Sequence, residues 1–215
     1  MNKLYLIFIL IAFILVSCNQ TAERQNSKPV DTVSVKVDST SVKRADSYAY
    51  TPTYYDYKNT RLSDNYRDTA FTKFSNDTTE DCFTLNIPKG LVTETKTTIR
   101  VVTKQGEVIY EHTFATSDLI NGYDTEEIKT DVEMEKYILS LAKSLLKEGL
   151  YDPSELSEES YLNQATKEDF NDYEVFENIK KTDRIMFHYC LNEESNYYLG
   201  YSDKKKKVVK IIDCC

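Results

Sequence analysis

Hydrophobic and polar positions alternate most regularly near the middle of the chain. In residues 98–104 and 107–114, Ile99, Val101, Val108, Tyr110 and Phe114 fall on one face and Arg100, Val102, Ile109 and Glu111 on the other, the period-two signature of half-buried strands. His112 falls opposite Ile99, at the edge of the apolar face. Gln105-Gly106 between the two runs reads as a two-residue turn, with glycine supplying the positive φ of a primed hairpin. Pairing Lys104 with Glu107 then sets Arg100 opposite Glu111. A slip of one residue loses both charge pairs, so charge fixes the register. Upstream, 66–74 and 82–87 read as strands. The second carries Phe83, Leu85 and Ile87 on one side and Cys82, Thr84 and Asn86 on the other, and is closed by Pro88 and Gly90.

After residue 130 the period becomes helical. Thr130 with Glu133 makes a capping box, and Met134, Ile138, Leu141 and Leu145, with Tyr137 and Ala142 alongside, form an apolar stripe opposite Lys136, Lys143, Lys147 and Glu148. Gly149 is expected at C′ of a Schellman ending, with Leu150 against Leu145. From 151 to 182 the pattern weakens to short helical pieces at 158–164 and 167–173. A meander of strands at 184–191, 197–201 and 208–212 ends the chain, turning at 193–196 and again at Asp203 and the lysines after it. Strands, helix, strands predict an α+β domain. Its antiparallel sheet, in two hairpin or meander groups, packs in two layers on one long helix. The domain is assigned to 61–215, long enough to bury about 68–70% of the surface its unfolded chain exposes.

Ahead of the domain, Lys3 precedes an unbroken apolar run of 13 residues, Leu4 to Val16. That matches a signal-peptide core and falls short of the roughly 20 residues that span a bilayer. Leu15-Val16-Ser17-Cys18 ends the run and resembles the lipobox of bacterial lipoproteins. The resemblance implies a signal peptide over 1–17, cleavage before Cys18, acylation of that thiol with palmitate-type chains, and attachment to the membrane through the lipid. Asn19, where an inner-membrane protein by the enteric sorting rule carries Asp, implies the outer membrane. Residues 18–60 are a flexible polar tether, too poor in large aliphatics to offset the entropy of ordering, although Val33, Val35 and Val37 alternate as an edge strand would.

Asp31-Thr32-Val33 and Asp38-Ser39-Thr40 in the tether, with Asp68-Thr69-Ala70 and Asp77-Thr78-Thr79 at its border, resemble the O-glycosylation acceptor of Bacteroidetes. Thr32 and Ser39 are the better candidates. The cluster Tyr48, Tyr50, Tyr54, Tyr55 and Tyr57 reads as the first segment to dock on the domain, with a stacking surface for sugars as the alternative. As a whole the chain is similar to small Bacteroidetes-type lipoproteins, a resemblance that transfers no activity and no functional residue.

Charge and composition narrow the chemistry. The formal net charge is −8, and residues 61–215 hold 20 basic against 30 acidic groups, which excludes nucleic acid as a partner and leaves membrane attachment to the lipid. With Cys18 given to the anchor, Cys82, Cys190, Cys214 and Cys215 remain as candidate disulfide cysteines in an oxidising compartment. Strand alternation sets Cys82 and Cys190 on the outer side of the sheet. A vicinal bridge is strained, so one of the last two cysteines is expected to reach Cys190 or Cys82.

His112 and His188 are the only histidines. Neither has a nucleophile and an orienting acid at a triad's spacing, and both read as structural. No metal site is expected, because no ligand spacing matches one. The five glycines are scattered, so no phosphate loop and no cofactor is expected. Lys204 to Lys207 reads as a soluble hairpin tip. The resulting expectation is an envelope lipoprotein whose domain binds a protein partner or a glycan without catalysis. Two alternatives stand beside it: a hydrolase using the carboxylates of 151–173, and a glycan-binding module using Tyr48 to Tyr57.

Overall fold

The computed structural model describes residues 54–192 and 194–213. The signal peptide, Cys18, Thr32, Ser39, the valine alternation, Tyr48, Tyr50, Cys214 and Cys215 lie outside the described residues. Two four-stranded antiparallel sheets carry the fold, which is α+β as expected. The first runs β2 (Tyr66–Thr72), β3 (Asp81–Ile87), β5 (Lys96–Val102), β6 (Val108–Ala115). The second runs β10 (Lys207–Ile212), β9 (Ser195–Ser202), β8 (Met186–Leu191), β7 (Leu150–Tyr151), and a short ladder joins β1 (Arg61–Leu62) to β4 (Gly90–Leu91).

The β5–β6 register follows the charges: Arg100 lies opposite Glu111, with Nε 3.3 Å from the carboxylate. The turn differs from the two-residue form. A bulge shifts the register between Val101 and Val102, setting Val102 opposite Val108. The loop closes through Gly106 N–H to the Thr103 carbonyl at 2.9 Å, while Thr103 N–H donates to the Glu107 carbonyl at 2.8 Å. Gly106 has φ +89, so its conformational freedom is used, in a longer loop in which Thr103, not Lys104, pairs with Glu107.

Helix α1 (Asp131–Gly149) opens on the expected capping box, with Thr130 Oγ1 accepting from Glu133 N–H at 3.2 Å and the Glu133 carboxylate accepting from Thr130 N–H at 3.0 Å. Its buried row is Met134, Ile138, Ala142 and Leu146, an i, i+4 line, and Leu141 and Leu145 are only half-buried on its flank. The Schellman ending is absent. Gly149 is the last helical residue, outside the positive-φ region, and the chain passes directly into β7. Glycine serves close approach there, since a Cβ would stand 2.3 Å from the His188 carbonyl oxygen of β8.

Two hydrophobic cores result. The larger lies between the first sheet, α1 and one face of the second sheet, and includes Phe83, Leu85, Ile99, Ile138, Phe187 and Leu199. The smaller joins the other face of the second sheet, through Met186, Ile211 and Ile212, to Leu162 of α2 (Tyr161–Gln164) and to Val175, Phe176 and Ile179 of α3 (Tyr173–Lys180). Alternation along β8 sends Phe187, Tyr189 and Leu191 into the first core and Met186 into the second. Residues 151–182 therefore add a layer that the two-layer expectation lacks. The expected piece at 167–173 is a 3-10 turn (Lys167–Asp169), and the real helix starts where that piece was to end. Asp172 caps it, accepting from Val175 N–H at 3.3 Å.

Candidate functional site

The C-terminal half of α1 leans over β8 and leaves a cleft of about 240 Å³ between them. Leu119, Leu141 and Leu145 supply its apolar lining, Ser144 and Glu148 its polar side chains on α1, and the stretch His188, Tyr189, Cys190 of β8 the opposite wall. The two leucines expected in the core are thus what the cleft uses. They sit one position off the Ala142/Leu146 line, and helical rotation carries them to the edge of the buried stripe. His188 is fixed by Asn196, 3.1 Å from Nε2 to Oδ1, and by stacking on Tyr198 at 4.1 Å. Burial holds its imidazole below the usual histidine range, against the opposing effect of the Asn196 hydrogen bond.

The larger core beneath the cleft contains a polar chain. The Tyr189 hydroxyl lies 2.6 Å from the Tyr110 hydroxyl and 2.7 Å from His112 Nδ1, and its ring stacks on Tyr197 at 4.7 Å. Burial pushes both Tyr189 and Tyr110 above the usual phenol range, and it lowers His112. With the phenols neutral, the chain pins β6 to β8 through hydrogen bonds that would otherwise be missing in an apolar interior. Each histidine has a hydrogen-bond partner that fixes its ring, His112 on Tyr189 and His188 on Asn196.

The other sequence candidates separate in space. Cys82, a half-buried free thiol, is on β3 opposite Phe71 and Val102, in the first sheet, whereas Cys190 is exposed on β8 in the second. Tyr55 and Tyr57 pack against the larger core, and the Tyr55 hydroxyl donates to Asp131 at 2.9 Å. Burial and that carboxylate raise the phenol's pKa. Tyr54 is exposed and meets Tyr123 edge-on at 6.2 Å. The packed chain therefore begins ahead of residue 61.

Several carboxylates of 151–173 are backbone caps. Asp152 accepts from Ser154 N–H at 2.7 Å, Asp169 from Thr166 N–H at 2.7 Å, and Asp172 caps α3 while pairing with Lys205 at 2.6 Å. Glu155, Glu158, Glu159 and Glu168 are exposed. Asp152, Asp169 and Asp172 each precede or close a short helical turn, the local signal that identifies them as caps. Lysines of the β9–β10 turn meet the acids at the start of α3, Lys205 on Asp172 and Lys204 on Glu174 at 4.0 Å.

Sequence reasoning missed Arg184, whose side chain is 4% exposed. It donates from Nε to Thr182 Oγ1 at 3.1 Å and from Nη2 to Asn178 Oδ1 at 3.1 Å and to Asp203 at 3.0 Å. No signal around residue 184 announces a buried cation, because its charged partner, Asp203, comes from the distant β9–β10 turn and Asn178 from α3.

Among the described residues no group of three or more His, Cys, Asp or Glu is placed to hold a metal ion, and no helix is long and apolar enough to cross a membrane. Comparison of the chain with protein-family models, with curated proteins and with solved structures finds no match to any of them.

Proposed function

We propose that this chain is a lipid-anchored cell-envelope protein, held at the outer membrane through acylated Cys18, whose domain acts by binding, and that the cleft between α1 and β8 receives a partner protein. The lipobox-like Leu15-Val16-Ser17-Cys18 supports the anchor. The cleft carries the binding reading. Its volume of about 240 Å³ is below the roughly 300–1,000 Å³ of sites for drug-sized ligands and suits one large apolar side chain, the kind of anchor that dominates protein interfaces. Its rim is negative. Glu148 stands there at the C-terminal end of α1, where the helix dipole adds partial negative charge. The partner segment is therefore an aromatic or aliphatic residue next to Lys or Arg.

The test is a photo-crosslinking amino acid at Ser144 in the full-length protein in intact cells, with Leu145→Arg as control. A protein adduct that Leu145→Arg abolishes, while the melting temperature holds, supports the reading. Recovery of lipid alone, or an adduct indifferent to Leu145→Arg, overturns it. The anchor is tested separately by metabolic palmitate labelling, expected in the wild type and lost in Cys18→Ala.

A further inference from the structure

Arg184 places a guanidinium at a second, polar cavity of about 170 Å³, open to the surface between Asn76 and Asp77 of the loop after β2, Asn178 of α3 and Asp203 of the β9–β10 turn. Burying a cation is unfavourable unless its donors are paired, and two of its three nitrogens are: Nε on Thr182, Nη2 on Asn178 and Asp203. Nη1 has no hydrogen-bond partner among the described residues. Since no sealed-off side-chain nitrogen or oxygen lacks a partner, Nη1 is the atom left to the cavity that Arg184 lines. The fork is locked before any ligand arrives.

The other walls complete an alternating set of donors and acceptors. Asn76 Oδ1 accepts from Thr78 N–H at 2.7 Å and Thr78 Oγ1 at 2.6 Å, which orients the amide and leaves Nδ2 as a donor. Asp203 binds Arg184 and Asn178 through Oδ2 alone, leaving Oδ1 as an acceptor, and Asp77 adds an exposed carboxylate. One cation facing two carboxylates disfavours phosphate or sulfate, and the guanidinium disfavours a simple cation. Hydroxyls, which donate and accept at once, satisfy both kinds of wall.

We infer that this cavity binds a neutral carbohydrate, one ring held between Arg184, Asn76, Asp77 and Asp203. An adjoining cavity of about 270 Å³ shares Asn178 and Asp203 and contributes Tyr201. A second ring lies there, with the tyrosine giving the apolar face that sugar rings pack on. The site is separate from the α1–β8 cleft and independent of the partner proposed for it.

The experiment is NMR titration of the full-length protein with a panel of neutral disaccharides (maltose, cellobiose, chitobiose), with glycine and inorganic phosphate as comparison ligands. Saturable shifts of the Ser75, Asn76, Asn178 and Asp203 amides with at least one sugar, weakened about tenfold or more by Asn76→Ala and by Asp203→Asn, are expected. Arg184 is buried and its replacement risks unfolding, so Asn76→Ala, an exposed loop residue expected to leave the melting temperature unchanged, keeps the test independent of folding. No sugar shifting these amides at millimolar concentration, or glycine or phosphate shifting them more strongly than every sugar, overturns the inference.

Discussion

The two cores are built on different principles. The larger is assembled from long, strongly patterned elements: the 19 residues of α1 and the seven each of β3 and β5. Phe74, Phe83 and Phe187 meet edge-on inside it at 5.1 and 5.3 Å. The smaller depends on an 8-residue α3 and a 4-residue α2, helices too short to persist without tertiary support. What α3 lacks in length is supplied at its start by Asp172, which accepts from Val175 N–H and pairs with Lys205, and the turn between the two helices is closed by Asp169 on Thr166. Length and periodicity hold the first core, and end-chemistry holds the second. The second also borrows its floor from β8 to β10, strands already fixed by the first.

The sharpest test of that difference is a pair of truncations. Phe83→Ala empties a fully buried site where sheets and α1 converge, and is expected to cost about 3–5 kcal/mol, lowering the melting temperature by about 10 °C. Ile179→Ala removes an equally buried side chain from α3. Its cost is expected at the low end of the roughly 2–5 kcal/mol range, because a two-turn helix can settle into the hole. Amide exchange should separate them: Phe83→Ala speeds exchange throughout, Ile179→Ala mainly in α3 and its neighbours. Equal and global acceleration in both variants would show a single cooperative core instead.

A smaller effect is expected at the ends. Asp172→Ala removes a helix cap and the Lys205 pair together and should destabilise by about 1 kcal/mol, seen in the urea midpoint. Thr130→Ala, at the cap of α1, should cost a similar amount, but exchange in α1 should hardly change, because the larger core holds that helix. Loss of protection along α1 equal to that along α3 would break the contrast between the cores.

The smallest effect is the pH dependence. His112 joins the larger core's hydrogen-bond chain and His188 stacks on Tyr198 at the smaller core's side of β8. Burial lowers both pKa values. The folded state therefore binds protons less readily than the unfolded one. The stabilisation is fully present above the unfolded value of about 6.5 and is lost as pH falls through the folded values. The urea midpoint should drop between about pH 7.5 and about pH 5.5, and His112→Gln or His188→Gln should each flatten that slope. Unchanged slopes in both variants would assign the pH dependence to other groups.

Some of the site was legible and some was not, and the residues show why. The Arg100–Glu111 pair and the Thr130–Glu133 box were readable because each is fixed by positions a few residues apart on a regular element. The helical period places Leu141 and Leu145 on the apolar stripe of α1; Leu145 does pack against the larger core, but both are half-buried and line the cleft. One residue of helix rotation, about 100°, separates their line from Ala142 and Leu146, and α1's apolar arc is wide enough to include both. Gly149 marks the end of α1 in the sequence, but a glycine at a helix end serves either a left-handed turn or close approach, and only the neighbouring β8 carbonyl decides for the second. Arg184, Asp203 and Asn76 give no sequence signal at all.

What the sequence by itself determined was local: which segments are strands or helix, where α1 starts, how β5 and β6 register, and an N-terminal pattern like that of a lipoprotein. Each follows from side-chain periodicity or from groups within hydrogen-bonding reach along one element. Only the tertiary structure decided which face of β8 meets which core, that Asp172 at the start of α3 pairs with Lys205, and that the arginine at 184 meets Asn178 of α3 and Asp203 of the β9–β10 turn beside its near neighbour Thr182. Those arrangements depend on the packing of segments distant in sequence, a collective balance of burial and pairing that no local pattern encodes.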